Sequence, residues 1–235
     1  MIFERLTGSA LEHLDQANLD TRELRICLRD VERLNRWFGG TTAVLAEVGR
    51  IVSERGLTGP IHVLDVGTGG ADIPRAMVRW GELRRLSFRI VACDRHAAVI
   101  GAAAAGCSGA ASIFILRADA LALPFQPGHF DFVTCSLMIH HLSEDHAIRL
   151  LEGLRELPRR ALIVSDLQRT RSAYAGVWLG THLVCRSPFT RHDGPVSVRR
   201  AYTLDELRAL SRRAGCGNMR WSRRPFFRVA GVLER

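Results

Sequence analysis

Apolar residues recur at three- and four-residue steps through the first sixty residues, then change to short solid runs from residue 61 onward. Leu24, Cys27, Leu28, Val31, Leu34 and Phe38 share one helical face, with Asp20 or Thr21 as cap and Gly39-Gly40 as stop. Thr41 opens a second predicted helix carrying Val44, Leu45, Val48, Ile51 and Val52, which Gly56 closes. Beyond it, solid runs at 61–66, 88–93, 112–116, 130–136 and 161–164 read as buried strands. The segments 73–86, 97–105 and 144–157 between them read as helices, as do 173–185 and 203–214. Residues 219–221 and 226–233 form a predicted antiparallel closing pair. This alternation predicts an α/β fold: a seven-stranded, mostly parallel sheet with an antiparallel last strand and helices on both faces. Residues 1–57 would form an amino-terminal helical cap, packed on the sheet and covering a substrate, and 58–235 a single compact domain.

The first strand runs straight into glycines, in Ile61-His62-Val63-Leu64-Asp65-Val66-Gly67-Thr68-Gly69-Gly70-Ala71-Asp72-Ile73-Pro74. Glycine lets a tight turn press its backbone against a ligand, and proline, lacking an amide hydrogen, suits the first turn of a following helix. The third glycine of a nicotinamide-type dinucleotide turn is missing, since Asp72 stands there, and no glycine cluster is followed by Lys-Ser/Thr as a P-loop requires. Asp65, Asp94 and Asp119 fall at or just after the ends of the first three predicted strands, where a parallel sheet binds its ligands.

Asp65-x-Gly67-x-Gly69 resembles the first motif of class I S-adenosylmethionine-dependent methyltransferases, although Ala71 stands where that family often has a further glycine. Residues 118–142 strengthen the likeness: Asp119 with Leu123-Pro124-Phe125, Phe130-Asp131-x-Val133, then His140-His141-Leu142, look like segments of the small-molecule branch that includes ubiquinone and menaquinone biosynthesis enzymes. The resemblance implies a Rossmann-like fold, S-adenosylmethionine as cofactor and S-adenosylhomocysteine as product. It places Gly67, Thr68, Gly69 and Gly70 under the methionine and ribose, with Asp65 ahead of them. Asp94 and Arg95 would meet the ribose, Asp119 and Ala120 the adenine, and Ser136 and Leu137 the methionine end. It also implies methyl transfer to a small acceptor, with O-methylation of a phenol, quinol or polyketide-type compound preferred over C-methylation of an aromatic or quinone precursor.

A phenol, with a pKa of about 10, gains from a base working near neutral pH, and histidine suits that role. His141 is the first candidate and His140 the second, with Asp166, at the end of strand five, able to orient one of them. Asn35, Arg36 and Trp37 are candidate pocket contacts. Arg191 and Arg199 are candidate holders of an acceptor carboxylate or phenolate, and His192 an alternative base, although Gly194-Pro195 fits a loop tip equally well. Asp131 reads as a structural hydrogen-bond acceptor. His140, His141 and His146 lack helical metal-ligand spacing, so no metal is expected.

Composition changes the picture in one respect. The formal charge of +9 comes from arginine alone, with no lysine, and residues 186–235 hold 12 Arg against 4 acids. A solvated face, an attractor for anionic small molecules and an RNA footprint all fit that excess. The RNA reading is disfavoured because strand four ends Cys135-Ser136-Leu137-Met138 rather than Asn/Asp-Pro-Pro-aromatic, and the tail has few aromatics for stacking. Six cysteines without paired short spacing are expected as buried free thiols in a reducing cytoplasm. No apolar signal core or membrane span is apparent, and the apolar helices make a homodimer a candidate.

Overall fold

The structure, a computed structural model, describes residues 4–7, 12–13 and 20–235. The rest of the segment ahead of residue 20, counted above with the helical cap, lies outside the described residues. Helices α1 (Thr21–Trp37) and α2 (Gly40–Glu54) come first. Then follow β1 (Ile61–Val66), α3 (Asp72–Glu82), β2 (Phe88–Asp94), α4 (Ala97–Gly106), β3 (Ile113–Arg117) and β4 (Phe130–Ser136). The second half holds α5 (Glu144–Glu156), β5 (Pro158–Leu167), α6 (Arg171–Val184), α7 (Pro188–Arg200), α8 (Leu204–Arg213), β6 (Arg220–Arg224) and β7 (Arg228–Glu234).

The seven strands lie in the order β3-β2-β1-β4-β5-β7-β6, with only β7 running against its neighbours. Chain order reverses between β1 and β4, which opens a crevice at their carboxyl ends. Side chains alternate across the sheet as its pleat demands. Ile61, Val63, Phe132, Ala161 and Ile163 pack with α2, α3 and α4 on one face, while Leu64, Val133, Leu162 and Val164 pack with α5 and α8 on the other. The two front helices divide their work. Val44, Val48, Ile51 and Val52 of α2 join the sheet core, whereas α1 presents Leu28, Val31, Leu34, Asn35 and Phe38 to the cavity above the strand ends.

Local signals explain most boundaries. Ser143 accepts a hydrogen bond from His146 N, and Thr203 with Glu206 forms a full capping box. Asp131 accepts from His62 N and Arg160 Nε at 2.9 Å each, so it ties strand starts together. Three departures from expectation have a clear local cause. The helix expected over 73–86 ends at Glu82, because Arg84 N and Leu86 N both turn back to Gly81 O. Gly194-Pro195 lies inside α7: Ser187 and Pro188 start that helix, and Gly194 nests against Thr181 and Val177 of α6. Phe226 and Phe227 form the β6–β7 turn rather than the start of a strand, both with positive φ (58° and 61°), as tight hairpins require. All six cysteines are free and buried, and no helix among the described residues is long and apolar enough to cross a membrane.

Candidate active site

A cavity of about 680 Å³ opens above the carboxyl ends of β1, β2 and β4, within the range of roughly 300–1,000 Å³ common for ligand sites. One part of it gathers Asp65, Gly67, Thr68, Gly69, Gly70, Asp94, Arg95, Asp119, Ala120, Ser136 and Leu137, brought together from four strand ends. Gly67 adopts φ +69° and lies so close to Met138 that a Cβ there would meet its Sδ at 2.9 Å. A Cβ on Gly69 would meet nothing nearer than Leu28, at 3.9 Å, so this part of the turn faces the cavity. Ala71, at the family's glycine position, holds the left-handed conformation with φ 55° despite its side chain.

The three aspartates are held, not loose. Asp65 Oδ1 accepts from Thr134 Oγ1 at 2.6 Å. Burial pushes its carboxyl up to about 6, against the pull of that hydrogen bond. Asp94 accepts from Gly69 N at 3.2 Å and His96 N at 3.1 Å, one bond to each oxygen, and Asp119 accepts from Leu121 N at 2.9 Å. A carboxylate oxygen has about two acceptor sites, so Asp94 retains capacity toward the cavity. Ser136 Oγ is buried without a hydrogen-bond partner. Open glycine backbone, aspartates with spare acceptor capacity and an unsatisfied hydroxyl fit a nucleoside bearing a polar tail.

At the other end of the cavity, the turn Ile139–His141 carries the paired histidines. Asp166 sits on His140 rather than on His141: its Oδ1 lies 2.6 Å from His140 Nδ1, and its Oδ2 accepts from His140 N at 3.2 Å. Burial alone would raise the Asp166 carboxyl, but the facing imidazole and the Leu167 and His140 amides outweigh it and hold the group below the usual carboxylate range. An ionised Asp166 only accepts, so His140 Nδ1 donates, and in the neutral ring Nε2 is then the acceptor. Glu12, buried on the cavity wall, lies 3.7 Å from His140 Nε2 and 3.8 Å from His141 Nε2, with Arg200 Nη1 at 3.8 Å. Glu12, His140 and His141 bring three potential metal-ligand atoms within 4.8 Å of one another. Ligands sharing one ion at 2.0–2.1 Å stand only about 3.3 Å apart, so this spacing is looser than a formed first shell.

Other predicted contacts scatter. Asn35 is buried on the cavity wall, but Arg36 and Trp37 lie on the exposed side of α1, outside the lining. Arg191 and His192 also lie outside it. Arg191 donates to Cys185 O, and His192 shares Asp193 Oδ1 with His13. The helix that absorbs Gly194-Pro195 turns Arg191 and His192 away from the cavity, while Asp193 and Gly194 line it. Glu12, Arg200 and Arg228 join the lining without having been singled out from sequence. For Glu12 and Arg200 no local signal exists. Arg228, a charge heading the apolar run 229–233, was a readable anomaly.

Residues 63–160, from β1 into β5, match the family described as a methyltransferase domain. Over those residues the chain carries a methyltransferase domain, and the relatives and shared fold together support one of the class I S-adenosylmethionine-dependent kind. It is 28% identical over 161 residues to a ubiquinone biosynthesis O-methyltransferase of Ralstonia nicotianae, covering 66% of this chain and 62% of that relative's length. Two solved structures share the fold. One is a SAM-dependent methyltransferase from Aquifex aeolicus (TM-score 0.60, 18% identity, 92% of this chain and 99% of that one). The other is an O-methyltransferase family 2 protein from Planctomyces limnophilus in complex with apigenin (TM-score 0.62, 16% identity, 94% and 63%).

Within this methyltransferase domain the raised Asp65 carboxyl has a measurable consequence. An acid whose folded pKa lies above its unfolded value stabilises the fold fully below the unfolded value, and that contribution disappears as pH rises through about 6. A cationic donor favours the ionised form. Its affinity is therefore expected to tighten between pH 5 and 7, by up to about tenfold per pH unit below the pKa, with proton release on binding. Calorimetry in buffers of different ionisation enthalpy measures both, and Asp65→Asn should flatten the profile. An unchanged profile in the variant would remove Asp65 from the linkage.

Proposed function

We propose that the protein transfers a methyl group from S-adenosylmethionine to a hydroxyl of a small phenolic, quinol or polyketide-type acceptor. The observation that carries this reading is the His140–Asp166 pair, which opens on the same cavity as the aspartate rim. When bound, the donor supplies a methyl group already activated on a sulfonium. The chain has then to align the acceptor, exclude water and take one proton. In this reading His140 Nε2 takes it, because Asp166 orients that ring and would stabilise its protonated form. His141, half-buried at the same wall, flanks the acceptor. Helix α1 closes the cavity from above through Leu28, Leu34 and Phe38. The acceptor oxygen forms its bond to the methyl carbon as the carbon–sulfur bond breaks, its electron pair staying on sulfur to leave a neutral thioether.

A relative named for O-methylation and a fold neighbour solved with apigenin support a hydroxylated aromatic acceptor. The arginine-rich end lends less support to RNA. Arg213, Arg220, Arg224 and Arg235 pair with Glu144, Glu234, Glu47 and Glu156, so much of that charge is neutralised inside the chain. Incubation with labelled donor and a panel of phenols, hydroquinones and RNA, with the methylated atom located by NMR, tests the proposal. Methyl on a ring carbon, or label in RNA alone, would replace it.

Trp178, Leu179 and Leu183 of α6 are exposed and support a homodimer through that helix. Light scattering should then give twice the chain mass, reduced to one chain mass in Leu183→Glu. A monomeric parent protein would refute the dimer.

A further inference from the structure

Arg228 lines the cavity and takes no part in the chemistry above. It opens β7 opposite Leu167, one position from Asp166 along the paired strand, and is only 4% exposed. Its one hydrogen bond among the described residues runs from Nη2 to the neutral Asn35 Oδ1, at 3.0 Å, and its buried Nε has no partner. The nearby carboxylates are committed elsewhere. Asp72 Oδ2 accepts from Asn35 Nδ2 at 3.0 Å, and Asp166 serves His140 and Leu167. Burial depresses the guanidinium to about 10, which leaves it charged at neutral pH. A buried cation with one neutral partner is costly for a fold to keep, and a guanidinium is shaped to receive a carboxylate through two parallel hydrogen bonds.

The turn beside it supplies a flat apolar wall. Phe226 and Phe227 both hold positive φ, a strained conformation for large side chains, and both line the cavity. Phe38 meets Phe226 edge-on at 5.7 Å, and Gly176 leaves the space that Phe227 fills, since a Cβ there would lie 2.3 Å from its ring. Gly40 does the same for the cation: a Cβ would come within 3.0 Å of Arg228 Cζ. An aromatic wall next to an unsatisfied guanidinium matches a ligand that is flat at one part and anionic at another.

We infer that Arg228 receives a carboxylate on the bound acceptor, whose ring lies against Phe226 and Phe227, which makes the acceptor class a hydroxylated aromatic acid. The inference rests on the proposed methyl transfer. The same receptor chemistry would also suit the carboxylate of the donor's methionine end, and the test separates the two. Calorimetry on the full chain, Arg228→Gln and Arg228→Lys compares S-adenosylhomocysteine with 5′-methylthioadenosine, which lacks the amino-acid end. The S-adenosylhomocysteine complex is then titrated with 4-hydroxybenzoate, salicylate and their amides.

The acids should bind the unaltered complex at least about tenfold tighter than the amides. Arg228→Gln should erase that preference, and Arg228→Lys should keep part of it, with S-adenosylhomocysteine affinity unchanged in both. A fall of S-adenosylhomocysteine affinity in Arg228→Gln to the level of 5′-methylthioadenosine would give the site to the donor and overturn the acceptor assignment. Equal binding of acids and amides by the unaltered protein would overturn it too, whether or not the variants fold. An unaltered protein that binds no S-adenosylhomocysteine would fail at the proposed function instead.

Discussion

Asp94→Ala is expected to weaken S-adenosylhomocysteine binding by about 100-fold while the protein stays folded. The Asp94 carboxylate ends β2 and is aimed by Gly69 N and His96 N, one bond to each oxygen. Its remaining acceptor capacity faces the cavity, where two ribose hydroxyls would each donate. Hydrogen bonds to a charged group are worth about 1.5–3 kcal/mol each, and roughly 3 kcal/mol corresponds to about two decades in affinity. The variant also frees Gly69 N, which loosens the glycine turn under the same ligand. Asp94→Asn keeps the size but turns one acceptor into a donor, so it should fall between the two. Calorimetry with S-adenosylhomocysteine measures all three, and a dissociation constant within about twofold of the parent would move the ribose elsewhere.

That prediction could be written from the sequence, because the residues behind it are local in their logic. Asp65, Asp94 and Asp119 each close a short apolar run, and parallel strands deliver their ends to one edge whatever the helices between them do. The glycine turn was legible for the same reason. The acceptor end was not, because its residues meet only through tertiary packing. Glu12 reaches the histidines from a segment more than 120 positions away, and Arg228 reaches Asn35 across 193 positions. Helix register misled as well. Arg36 and Trp37 adjoin Asn35 in sequence but point about 100° and 200° around a helix with 3.6 residues per turn, so one of the three faces inward. Pro195 suggested a loop by the usual rule, whereas α6 gives Gly194 a niche and keeps α7 intact around it.

The larger effect is expected at the histidines. His140→Ala should lower the turnover number by about 10²- to 10⁴-fold, the usual contribution of a positioned base, with S-adenosylhomocysteine affinity unchanged. Asp166→Asn should lose much of that factor too, because an amide can donate to Nδ1 and so favour the tautomer in which Nε2 carries the proton. It should also cost stability. The depressed Asp166 carboxyl stabilises the fold above its unfolded pKa, and that contribution is lost only as pH falls through its folded value, so the parent and Asp166→Asn should converge in acid. His141→Ala discriminates between the two rings. If His140 is the base, removing its neighbour should raise KM for the acceptor more than it lowers kcat, and the pH–rate profile should keep its limb. A turnover loss in His141→Ala as deep as in His140→Ala, with Asp166→Asn near normal, would transfer the proton to His141 and leave the Asp166–His140 pair a structural tie between β5 and the turn after β4. Both rings stand on one short turn, 4.2 Å apart, so the choice rests on which ring the carboxylate orients, and in this fold that ring is His140.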